Sequence, residues 1–128
     1  MNAENFEGAY RAVYELILEV YGAHSYLLKS DKIDEIQLLK LHDIIRKQPN
    51  QKQLEGSLKF LIECLYQHHG KKVYILIDEY DTPLNKAYGN QEYLSAMVAF
   101  MRNLFSSALK DNYYLERGAL TGILRVLI

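Results

Sequence analysis

The chain has 128 residues, 49% hydrophobic and 24% charged, with 15 basic and 16 acidic side chains and a net charge of −1. These are values of an ordinary globular domain, and they exclude disorder, collagen-like repetition and low complexity. The charge balance offers no global field to draw the protein to nucleic acid or an anionic membrane, and no apolar run approaches the ~20 residues that span a bilayer. Cys64 is the only cysteine and has no partner for an intramolecular disulfide. The N-terminus lacks the basic-then-apolar form of a signal peptide. A soluble, cytoplasmic protein without membrane contact is therefore expected.

From Phe6 to about Leu28, apolar residues including Ala9, Val13, Leu16, Ile17, Val20 and Tyr21 recur at steps of three and four, which predicts one long amphipathic helix with a break near Gly22. Asp31 is the expected cap of a second helix that presents Ile33, Ile36, Leu39, Ile44 and Ile45 and stops before Pro49. A third helix carries Leu54, Leu58, Leu61, Ile62 and Leu65 and ends at His68, His69 and Gly70, a basic last turn followed by glycine. Cys64 lies on its apolar side and is expected to be buried packing.

The pattern changes at Val73-Tyr74-Ile75-Leu76-Ile77. A continuous apolar run rich in β-branched residues predicts a strand buried on both faces. A helix follows from about Glu92 to Leu109, then a second strand near Tyr114 to Thr121. The long crossover between the two strands makes them parallel, a βαβ unit. The expected fold is α/β: one domain with a helical region over residues 1–70 packed on a strand-helix-strand region over residues 71–128.

The informative segment is the end of the first strand. Asp78 and Glu79 follow five apolar residues, and the C-terminal tips of parallel strands are where open α/β sheets bind ligands. One carboxylate there can take Mg²⁺, which needs only one or two protein carboxylates. The other can polarise an attacking water, because phosphoryl transfer depends on positioning and charge stabilisation. The alternative is a solvated turn in which Asp81 and Thr82 start a helix and Pro83 occupies its first position.

The stretch Lys71 to Leu84, KKVYILIDEYDTPL, resembles the Walker B region of the bacterial AAA-ATPase-like family, whose members often carry a nuclease-like domain further on. Ser107 to Asn112 and Leu120-Thr-Gly-Ile-Leu-Arg-Val126 are similar to the family's next helix end and sensor strand. The resemblance implies a partial P-loop NTPase-type sheet and ATP with Mg²⁺ as ligands. It further implies Asp78 as the Mg²⁺ acid, Glu79 as the residue that activates water, Thr121 as a polar sensor near the γ-phosphate, and Arg125 as a contact to phosphate or a neighbouring subunit. Such proteins cradle phosphate with a glycine-rich loop ending in Gly-Lys-Ser or Gly-Lys-Thr. The only Gly-Lys here, Gly70-Lys71, is followed by Lys72 and precedes a strand. The family's loop lies upstream of what is Met1 here. The chain thus reads as the middle of an ATPase domain, inactive alone: either a fragment or truncated gene product, or a chain that works with a partner supplying the missing strands, with self-association through its open sheet edges also expected. A non-catalytic interaction module or a truncation remnant is the alternative.

The four histidines show no ligand spacing and are expected at helix ends or on the surface. Lys71, Lys72 and Lys86 are read as solvated loop residues. Tyr113-Tyr114 is read as strand entry, since no basic aromatic signature surrounds it. Nucleic-acid binding is not supported by this segment.

Overall fold

The computed structural model describes residues 6–80, 82 and 91–122. Among these described residues five helices and two strands follow in chain order: α1 (Phe6–Ala23), a 3-10 turn (Ser25–Lys29), α2 (Glu35–Arg46), α3 (Gln51–Glu55), α4 (Ser57–His69), β1 (Val73–Ile77), α5 (Gln91–Leu109) and β2 (Leu115–Leu120). The expected α/β architecture is present, a mostly helical body carrying one small parallel βαβ unit. The strands pair in parallel, with Ile75 opposite Gly118 and Ile77 opposite Leu120.

The first helix ends at Ala23 and gives way to the 3-10 turn, close to the break expected at Gly22. Its buried line is Ala9, Tyr14, Ile17 and Tyr21, whereas Leu16 is largely exposed. The second helix starts three residues later than Asp31 would place it. The cap is Asp34, whose carboxylate accepts the Gln37 amide at 2.8 Å. Ser30 accounts for the delay: its hydroxyl accepts the Lys32 amide at 3.1 Å, a local side-chain turn that competes with helix. The face of α2 also differs, because Ile36 and Leu39 are exposed while Leu41 and Ile44 are buried. Apolar residues lie around much of this helix, and only packing against its neighbours selects the buried stripe.

The expected third helix is two helices. Asn50 and Gln53 form a reciprocal capping box that opens α3. The Ser57 hydroxyl donates to the Leu54 carbonyl at 2.6 Å, occupying an acceptor that an unbroken helix would offer to the amide four residues on. Gly56 sits at the joint, and α4 then runs to Gly70, which caps it at φ 72° as the basic-turn-plus-glycine signature predicts. The Tyr21 hydroxyl donates to the Ser57 carbonyl at 2.6 Å and ties α1 to the start of α4.

Helix α5 is the centre of the core. Met97, Phe100, Met101, Leu104, Phe105 and Ala108 are all buried along it, and the Phe100 ring meets Tyr10 edge-on with centroids 5.2 Å apart. The end of α5 lies on the sheet at Gly118, where a Cβ would stand 2.6 Å from Leu109 Cδ2 and 3.1 Å from Ile75 Cγ2. A missing side chain is therefore what lets helix and strand approach.

The expectation that β1 is buried on both faces is corrected. Val73, Ile75 and Ile77 are half-buried, but Tyr74 is 65% and Leu76 79% exposed. Among the described residues the helices cover one face of the sheet only. Without a second layer, the alternate side chains face outward.

Candidate functional site

The tips of the two strands bring the sequence-predicted residues together. Because Ile77 pairs with Leu120, the next residues, Asp78 and Thr121, emerge side by side. The Thr121 amide donates to the Ile77 carbonyl at 2.9 Å, and the Tyr80 amide returns to the Thr121 carbonyl at 3.1 Å. Two backbone bonds thus extend the pairing past the strand ends and fix Thr121 beside the turn.

The Thr121 hydroxyl then joins the Asp78 carboxylate to the Glu79 backbone. It donates to Asp78 Oδ1 and accepts the Glu79 amide at 3.3 Å. A hydroxyl has one proton and two acceptor sites, so both bonds coexist. One carboxylate oxygen of Asp78 is thereby engaged and the other is left for a different partner. Glu79 adopts φ 52°, in the left-handed region, an uncommon conformation for a residue other than glycine. This turns the chain out of the strand direction directly after Asp78, and the Thr82 amide closes the turn on the Glu79 carbonyl at 3.0 Å. Asp78, Glu79 and Thr121 are all exposed. Asp81, Pro83 and Arg125, the other residues named from sequence at this site, lie outside the described residues, as does Lys86.

Beside the acids runs an open groove of about 350 Å³. Asp78 and Glu79 stand among its lining residues, with Leu16 and Val20 of α1, Leu76 of β1 and Leu104 of α5. Polar groups are confined to the acidic tip, and the remainder is apolar. Leu16 and Val20 were legible in the sequence as helix-face residues, but their place next to the acids depends on a contact between distant segments. Tyr80 closes the turn inward, its ring edge-on to Phe105 at 6.5 Å.

A larger open depression, about 600 Å³, lies between α2 and the α3–α4 joint and takes none of the predicted site residues. Two of its lysines are already engaged: Lys47 pairs with Asp43 at 3.4 Å and Lys40 lies over the Phe60 ring at 4.5 Å. Tyr113 and Tyr114 pack around Tyr66, with centroids 5.8 and 4.9 Å from it, and Lys72 covers Tyr113 at 4.3 Å. This is an anchor at the entry to β2, consistent with the strand-entry expectation.

Cys64 is fully buried, as expected. Burial pushes its thiol from an ordinary value of 9.0 up to about 12, with Glu63 adding to the rise, so it is no nucleophile at neutral pH. The Tyr21 hydroxyl is raised as well, again mainly by burial. A folded-state value above the unfolded one means that the unfolded chain loses its protons first. The stabilising contribution is complete below about pH 9 and falls as pH rises toward 12. Urea midpoints should therefore hold steady from pH 7 to 9 and decline above it, and Cys64→Ala should flatten part of the decline. A profile level to pH 11 would contradict this.

The architecture and the paired strand tips define a helix-rich α/β protein with a small parallel sheet and an acidic site at its C-terminal edge. Residues 9–128 match the model of the AAA-ATPase-like family, described as "Predicted AAA-ATPase", and the chain belongs to that family. No curated protein and no solved structure matches it.

Proposed function

We propose that this chain is the part of an AAA-ATPase-like domain that carries the hydrolytic acids of a Walker B segment. The observation that supports this reading best is the single hydroxyl of Thr121 linking the Asp78 carboxylate to the Glu79 amide at adjacent strand tips. Asp78 is the residue that would hold Mg²⁺, since one exposed carboxylate oxygen stays outside the threonine bond and this ion takes few protein carboxylates. Mg²⁺ would supply neutralisation of charge on the phosphates. Glu79 accepts a proton from, and orients, the attacking water. Thr121 holds the two acids in register, and Arg125 is the proposed contact to phosphate or a neighbouring subunit.

The 128 residues contain no Gly-Lys-Ser or Gly-Lys-Thr, and without that cradle most phosphate contacts are missing. The chain alone is therefore proposed to bind no ATP, and to act with a segment or partner that supplies the loop and further strands. The second reading, a non-catalytic interaction module, draws support from one observation, the exposed β1 residues Tyr74 and Leu76.

Calorimetry with Mg²⁺-ATP and a phosphate-release assay test the proposal. The 128-residue chain should be silent. A longer chain that includes a Gly-Lys-Ser or Gly-Lys-Thr loop should hydrolyse ATP, and Glu79→Gln in that longer chain should cut turnover by about 10² or more while ATP still binds. Unchanged turnover in Glu79→Gln would remove Glu79 from the chemistry. Saturable turnover by the short chain, lost in Asp78→Ala, would show that no loop is needed.

A further inference from the structure

Two of the four histidines, His24 and His69, meet at the hydroxyl of Tyr26, and a third, His68, packs beside them. His24 follows the end of α1, Tyr26 lies in the 3-10 turn, and His68 and His69 form the last turn of α4. His24 Nδ1 stands 3.1 Å and His69 Nε2 2.9 Å from the same atom, the Tyr26 hydroxyl oxygen. That hydroxyl has only one proton, so it donates to one ring and accepts from the other. The rings of His24 and His69 lie 5.6 and 5.8 Å from the Tyr26 ring, both roughly edge-on.

Both sides of the cluster are anchored. The His24 amide donates to the Tyr21 carbonyl and the Leu27 amide to the His24 carbonyl, each at 3.0 Å, and Leu27 is fully buried. On the α4 side, the Gly70 amide closes the helix on the Tyr66 carbonyl at 2.8 Å. His68 is turned away to Ser30, with its Nδ1 2.7 Å from the Ser30 hydroxyl. Ser30 is buried, and its oxygen also accepts the Lys32 amide. The His68 ring stays 4.8 Å from that of His69 and buttresses it edge-on. Tyr26 is 42% exposed and His69 is exposed, so an ion can reach the cluster from solvent.

We propose that His24 Nδ1, His69 Nε2 and the Tyr26 hydroxyl oxygen form a binding site for a divalent transition-metal ion of the zinc, copper or nickel type. Two imidazole nitrogens, 3.1 and 2.9 Å from the same phenol oxygen, are the donors such ions prefer. Metal–nitrogen bonds of about 2.0–2.1 Å are shorter than the hydrogen bonds seen here, so binding needs the rings to shift. Each neutral imidazole presents its lone-pair nitrogen to the ion, the phenol oxygen gives a lone pair, and the displaced N–H and O–H protons turn to water. Mg²⁺ and Ca²⁺, which require oxygen ligands, are excluded by the same chemistry. Among the described residues no three His, Cys, Asp or Glu side chains gather around one point, and the phenol oxygen is what completes this set. The site is independent of the acids at the strand tips.

Calorimetric titration of the tag-free 128-residue chain with Zn²⁺, in a non-chelating buffer at pH 7.5, decides the matter. One equivalent should bind, and His24→Gln, His69→Gln and Tyr26→Phe should each weaken it by about tenfold or more. His42→Gln, Cys64→Ala and replacement of Zn²⁺ by Mg²⁺ serve as controls: the first two should leave Zn²⁺ binding intact, and Mg²⁺ should give no heat. As a readout on the unaltered chain, Cu²⁺ electron paramagnetic resonance should show hyperfine coupling from two imidazole nitrogens. Absence of stoichiometric Zn²⁺ binding would overturn the proposal and leave the cluster as a hydrogen-bonded clamp between the 3-10 turn and α4. Binding that is equally strong in the folded His24→Gln and His69→Gln variants would overturn it as well.

Discussion

Phe100→Ala is expected to lower the unfolding free energy by about 3–5 kcal/mol, a large part of the ~5–15 kcal/mol that holds a domain of this size together. Phe100 is fully buried in the middle of α5 and receives Tyr10 edge-on at 5.2 Å and Phe6 at 6.4 Å from α1. Truncation removes its apolar surface from the core and opens a cavity where the two helices meet. The rigid ring contacts around it cannot collapse to fill that space. A urea titration should show a lower midpoint with an unchanged slope. Ile36→Ala, at a position 80% exposed on α2, should stay within about 0.5 kcal/mol of the parent. Glu79→Gln should also be near neutral or slightly stabilising, because it removes one of two adjacent exposed carboxylates. A loss in Glu79→Gln as large as that in Phe100→Ala would make the acid structural.

The second large effect concerns association. A two-stranded sheet is marginal in water and presents open edges with unpaired backbone groups. Here its uncovered face also exposes Tyr74 and Leu76. The 128-residue chain alone should therefore run heavier than 14.9 kDa in size-exclusion chromatography with light scattering at tens of micromolar. Moderate salt should not dissolve the assembly, since the contact is apolar. Leu76→Lys, which places a charge on the uncovered face of β1, should shift the chain toward monomer. A single 14.9 kDa peak, with slow hydrogen exchange from Val73 to Ile77, would mean that the helices already protect the sheet.

Local chemistry explains what was readable from sequence. Gly70 ends α4 because a basic last turn followed by a glycine in the left-handed region is satisfied within a few residues. The run from Val73 to Ile77 is a strand, legible because it is short, bounded by polar residues and β-branched at three of its positions. The parallel crossover, expected from sequence, put Asp78 and Thr121 at neighbouring strand tips, but their hydrogen bond depends on the register of the two strands. The cap of α2 falls at Asp34 and not at Asp31 for a local reason, the Ser30 turn. The split at Gly56 required the Ser57 hydroxyl to find the Leu54 carbonyl.

By itself, the sequence determined the order of helices and strands apart from the split at Gly56, the parallel unit, the buried Cys64 and the two acids at a strand tip. Tertiary structure alone decided which stripe of α2 is buried and that β1 is covered on one face. It also decided that Leu16 and Val20 stand beside the acids, and that Tyr26 and His69, 43 positions apart, share a hydrogen bond. The physical reason is that burial and side-chain convergence depend on which elements pack together. Periodicity reports only the shape of each element, not the neighbour that will cover it.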